Sequence, residues 1–221
     1  MPTITNHLVS QVNVVIIPST PLDFGVISID RIKTKLAETY SDSKPVLTQF
    51  PDLMLIFDSN NQISITILKD NNRVIVADNK ITPFTDRELE NFLRFVKDTM
   101  DIINNNNIKN YGFNILSVFD IDQEGFDSGA FIRDQFMRNS AKAEILQNVQ
   151  SVGVNIVYRD GEIRYDLRLE PRFGPNLESS KSISANLNVH FNGSLESLTE
   201  LNTKLRNIYD GFSANLTRLM E

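Results

Sequence analysis

Apolar residues recur along this chain with two periods. Between Gln62 and Leu68 they alternate, with Ile63, Ile65 and Ile67 on one side and Ser64 and Thr66 on the other. A period of two predicts a half-buried strand. The flanking stretches "DLMLIFD" and "RVIVAD" read as strands too, joined by turns at Ser59-Asn60-Asn61 and Asp70-Asn71-Asn72. Asparagine suits such turns because it tolerates the left-handed conformation. From Leu89 the period lengthens, and Leu89, Phe92, Leu93, Val96, Met100 and Ile103 form one apolar stripe on a helix. Thr85-Asp86-Arg87-Glu88 in front of it has the form of a capping box.

Earlier in the chain, Val12–Ile17 is rich in β-branched residues and stops at Pro18, which predicts a buried strand preceded by a mobile leader that contains His7. Ser28 is placed to cap a helix whose Ile29, Ile32 and Leu36 share a face. Lys44-Pro45 and Phe50-Pro51 are expected to break regular structure. The run Asn104–Asn107 reads as a linker near the middle of the chain.

The order of elements then recurs. "YGFNILSVFDI" predicts a strand, followed by an acidic loop and a short helix around Phe131–Met137. In "SVGVNIVYRDGEIRYDLRLE", Asp160-Gly161 is the preferred pair for a type I′ hairpin turn. Ile163, Tyr165, Leu167 and Leu169 face one way there, and Arg164, Asp166, Arg168 and Glu170 the other, the mark of a sheet with one covered and one wet face. Ile183–Phe191 is the last strand. A long helix follows, with Leu198, Leu201, Leu205, Ile208, Phe212, Leu216 and Leu219 on one face and Gly211 in its middle.

Short loops between successive strands require antiparallel pairing, since parallel neighbours need long crossovers. The predicted class is therefore α+β: two β-α-β(3-4)-α pattern repeats, residues 1–107 and 108–221, with antiparallel sheets and helices packed on one face. This order resembles the duplicated saddle of the TATA-box-binding proteins, and each half is similar to a reduced helix-grip fold of the Bet v 1 proteins. A sporadically distributed, uncharacterised prokaryotic family of about this size is also similar. It shares a mid-chain helix, a strand like "NYGFNILSVFDI" and a closing helix like "LTELNTKLRNIYDGFSANLTRLME". Where that family has an Arg-Ile-Gly-Leu-Arg-Tyr type of strand, this chain has Asn110-Tyr111-Gly112-Phe113-Asn114-Ile115, and Leu205 stands in place of a histidine. These resemblances imply an architecture and no activity.

Composition narrows the chemistry. The 221 residues carry a net charge of -6, which argues against a dedicated binder of nucleic acid or anionic lipid. There is no cysteine, so thiol catalysis, disulfides and cysteine-ligated metals are excluded. The opening segment lacks the charged head and long apolar run of a signal peptide, and the expectation is a cytoplasmic protein without membrane attachment. Asp120, Asp122 and Glu124 alternate ahead of Gly125, but Phe131 occupies the twelfth position, where a calcium loop needs glutamate. Asp127 or Ser128 is instead expected to cap the next helix. With His7 and His190 the only histidines and no nucleophile elbow or glycine-rich phosphate loop, no catalytic set, metal site or cofactor is expected.

Binding surfaces remain. Arg164, Arg168 and Arg172, with Arg159, form a stripe suited to an anionic ligand or acidic partner, or to ion pairing with the acids between them. The stretch Pro171–Ser182 is expected to be a long loop presenting Phe173. His190 is expected to be a partly buried strand residue. These features point to a non-enzymatic module that binds a protein partner or self-associates. The alternative is a small-molecule binder or enzyme with a cavity between sheet and long helix, its polar groups Tyr165 or His190.

Overall fold

The computed structural model describes residues 3–103, 108–136, 152–175, 179–195 and 198–220. The expected linker Asn104–Asn107 lies outside them, as do Met137 and positions 176–178 of the expected loop. The chain is α+β. In order it forms β1 (Thr3–Pro18), α1 (Ile29–Thr39), β2 (Pro45–Gln49), β3 (Leu53–Asp58), β4 (Ile63–Leu68), β5 (Arg73–Asp78), β6 (Thr82–Pro83) and α2 (Leu89–Ile103). There follow β7 (Ile108–Asp122), α3 (Ser128–Phe136), β8 (Val154–Asp160), β9 (Ile163–Phe173), β10 (Ser179–Leu195) and α4 (Leu198–Met220). Among the described residues no helix is long and apolar enough to cross a membrane.

All the strands join one antiparallel sheet in the order β2-β3-β4-β5-β1-β7-β10-β9-β8, with β6 added beside β1. The middle of the sheet is the pairing of β1 with β7, which aligns Thr3 with Asp122 at one end and Pro18 with Ile108 at the other. Alternate residues of the strands, among them Val14, Ile65, Phe113, Leu169 and Val189, are buried in a single cluster. Ile32 and Leu36 of α1, Phe92 and Val96 of α2, Ile132 of α3 and Leu205 and Leu216 of α4 enter that same cluster. The four helices therefore cover one face. The other face carries no helix among the described residues.

Local structure departs from the sequence expectations at points that have physical reasons. β1 begins at Thr3, so His7 is part of a long strand and not of a mobile leader. Residues 45–49 form the edge strand β2 where a break was expected; Pro45 opens it, a position at which a sheet edge tolerates the missing N–H. The capping box does not close. Phe84–Asp86 is a 3-10 turn, and Arg87 is drawn inward instead. Its guanidinium pairs with Asp78 at 2.7 Å and donates to the carbonyls of Val9, Asp78 and Lys80. The hairpin after β8 turns at Gly161-Glu162, one residue later than expected. Gly161 has φ +55° and Glu162 has no positive φ, the signature of type II′ rather than I′. Ser28 does cap α1, accepting from the Arg31 amide at 3.4 Å. Asp127 likewise accepts from the Ala130 amide at 2.7 Å. The expected long loop at 171–182 is mostly strand, because β9 runs on to Phe173 and β10 starts at Ser179.

At the first end of the sheet seam an aromatic group locks strand to helix. His7 stacks on Phe84 with ring centroids 4.7 Å apart and meets Phe119 and Phe212 at 5.8 and 5.9 Å. Phe84 in turn stacks on Tyr209, whose hydroxyl donates to the Phe84 carbonyl at 2.9 Å. Burial raises the Tyr209 hydroxyl to about 12.

Candidate functional site: the helix-free sheet face

Cross-strand register arranges the helix-free face in rows. One row runs Ser64, Ala77, Asn13, Asn114, Asn188 and Asp166 from β4 to β9. The next runs Ile75, Val15, Gly112, His190, Arg164 and Arg159 from β5 to β8. Neighbouring side chains in such rows stand about 5 Å apart. The face is thus divided. Towards β2 it is richer in apolar side chains, with Val46, Leu55, Phe57 and Ile75 among Ser64 and Thr66; towards β8 it carries amides, arginines and acids beside Val157.

Asparagines form a hydrogen-bonded ladder at the centre. Asn114 Nδ2 donates to Asn13 Oδ1 at 2.5 Å, and Asn13 Nδ2 donates to Gln11 Oε1 at 2.9 Å. Gln11 Nε2 then donates to Asn79 Oδ1 at 2.5 Å. Asn188 donates to Asn186 at 3.3 Å beside it. Asparagine is depleted in strands, so several at strand centres were a readable sign of a special surface. Asn13, Asn188 and Arg73 carried no sequence expectation, and Gly112 and Asn114 only that of a departure from the similar family's strand.

The expected residues divide between the two faces. Arg164, Arg168 and Arg172 lie on the helix-free face. Arg164 reaches Asp166 at 3.5 Å and Arg168 reaches Glu170 at 2.6 Å, along the strand rather than across it. These exposed pairs add little stability. His190 is on the same face and exposed, not partly buried, because Val189 takes the inward position beside it. Phe173 is 37% exposed at the end of β9. Tyr165 points the opposite way, into the helix layer, so it shares no pocket with His190. The acidic stretch is dispersed: Asp120 accepts from Asn6 at 2.9 Å and from Ser182 at 2.5 Å. Burial would raise the Asp120 carboxyl, but those hydrogen bonds, with Lys181 and Arg172, outweigh it and hold it below the usual range.

A second feature lies under α4. A cleft of about 630 Å³ opens between that helix and β8–β10, with Leu167 and Leu187 from the sheet and Phe212 and Leu216 from the helix among its walls. Tyr158 and Tyr165 stack at its side, 4.6 Å apart and nearly parallel. Burial raises both hydroxyls above the ordinary tyrosine value, so they stay protonated donors. Gly211 lines the cleft, and nothing lies closer than 3.9 Å to where its Cβ would be. Ile208 and Leu219, expected in the core stripe, also border this cleft, while Tyr209 and Met220 take the buried positions. No model of a known protein family matches the chain, and no curated protein does.

Proposed function

We propose that the chain is a non-enzymatic binding protein of the cytoplasm that takes a protein partner on the helix-free face of its sheet. The observation that carries this reading is the division of that face. A more apolar half beside a row of arginines and amides offers both burial and orientation, the combination that protein interfaces use. An acidic segment with apolar neighbours is the partner such a surface fits. In this reading the molecule also derives from a doubled unit, residues 1–107 and 108–221. The order strand, helix, strands, helix on either side of the β1–β7 seam supports that, as does the pairing of Asn13 with Asn114 across it. Self-association is the other outcome the test resolves.

The test is retention of a partner by the wild-type chain and by face variants. Arg164→Glu with Arg168→Glu should weaken retention at least tenfold, while a charge reversal at the exposed Arg31 of α1, Arg31→Glu, should leave it unchanged. A light-scattering mass of one chain with no partner retained would count decisively against the reading.

The cleft under α4 supports a second reading, a small-molecule binder. Its size and mostly apolar walls with a few polar groups suit a small apolar ligand. Gly211→Leu would fill it from the helix side, where a Cβ meets only Asn215 Nδ2, at 3.9 Å. The substitution also gives up a helical glycine, which alone is worth about 1 kcal/mol of stability. The expected result is a more stable protein that has lost binding of an apolar fluorescent probe. Unchanged probe binding in Gly211→Leu would remove this reading.

A further inference from the structure

We infer that a depression on the helix-free face, floored by Gly112, is the seat for a carboxylate side chain of an acidic partner peptide. This rests on the proposed use of that face and names the chemistry it recognises. The depression has a volume of about 310 Å³. Its floor exists because Gly112 has no side chain in a row where both neighbours, Val15 and His190, have one. A Cβ at that position would stand 3.1 Å from the Val189 carbonyl and 3.8 Å from His190 Nδ1.

The rim supplies unused donors. Arg73 borders the depression, and its Nε is buried with no hydrogen-bond partner. No ion pair among the described residues involves Arg73. The buried Nε is out of reach of a ligand in the depression, so an incoming carboxylate meets the terminal guanidinium nitrogens, which can hold it through charge-assisted bonds. Asn110 and Asn192, which share a row with Ile17, also line the depression. Their amides are neutral donors, and His190 stands on the opposite rim.

The walls decide between anions. Val15 and Ile17 form the side nearest the more apolar half of the face. A phosphate, hydrated all round, gains nothing there, whereas the methylenes of a glutamate lie against these side chains while its carboxylate reaches Arg73. The asparagine ladder holds Asn114 in place beside the floor through its bond to Asn13.

The experiment is an amide and guanidinium NMR titration of the full chain with two probes: a capped Leu-Glu-Leu peptide and inorganic phosphate. The peptide should shift the Gly112 amide, the Arg73 Nε–H and the side-chain amides of Asn110 and Asn192. Arg73→Gln, which removes the charge and keeps a shorter polar side chain, should weaken peptide binding at least tenfold with the rest of the spectrum intact. Gly112→Ala should abolish it, and an unperturbed spectrum elsewhere shows that the variant is folded. Absence of shifts at Gly112 and Arg73, peptide binding unchanged in Arg73→Gln, or a response to phosphate alone would each overturn the inference. A partner retained on the face by Arg164 and Arg168 but indifferent to Arg73→Gln would sink this site and leave the broader reading standing.

Discussion

Replacing Arg87 by alanine is expected to destabilise the protein by about 3–5 kcal/mol, the cost of leaving one member of a buried ion pair alone. Arg87 is 8% exposed and Asp78 9% exposed, and the pair sits where β1, β5 and the start of α2 meet. Burial already raises the Asp78 carboxyl, outweighing the pull of Arg87 and of the Lys80 amide. Without the guanidinium, three backbone carbonyls also lose their donor. Urea unfolding should show the loss as a lower midpoint with an unchanged slope. The double variant Asp78→Leu, Arg87→Met should recover most of it, because well-packed apolar residues often replace a buried pair at little cost. A single-variant loss under 1 kcal/mol would show that the pair is dispensable.

Acid should weaken the fold through His7. Burial among Phe84, Phe119 and Phe212 lowers its folded-state pKa to about 4, and Nε2 has no hydrogen-bond partner. In the unfolded chain the ring takes a proton near its ordinary 6.5. Between these two values the unfolded state binds more protons, so stability falls as pH falls. The contribution of the neutral ring is complete above pH 6.5 and lost below about 4. A full accounting at 1.4 kcal/mol per pH unit overstates the loss, since water reaches part of the ring; about 2 kcal/mol is the expected size. His7→Phe should flatten the urea midpoint between pH 6.5 and 4.5 relative to wild type. Parallel pH profiles for the two proteins would rule the mechanism out.

Much of the architecture was legible in the sequence where pattern and burial agree. The alternation in β4 and β9 and the stripe of α2 mark the covered face because a strand or helix buries one side only. Positions governed by tertiary partners were not legible. Arg87 has the form of a capping-box residue, and only the carbonyls of β1 and β5 draw it inward. Residues 3–11 have too few apolar positions to read as a strand, yet β7 supplies them with a full-length partner. For the candidate site, the arginines of β9 were visible because they alternate within one strand. The depression at Gly112 was not, because Arg73, Asn110 and Asn192 come from three strands and meet only through register.

The seam between β1 and β7 bears on how the molecule is made. Strand β1 finds its central partner, β7, only after about a hundred more residues have been synthesised. Until then one edge of β1 stays open, with β5 on its other side. Pairings of such long range close slowly and leave strand edges exposed meanwhile. Nascent chains halted before residue 108 should therefore be the ones that chaperones hold most tightly.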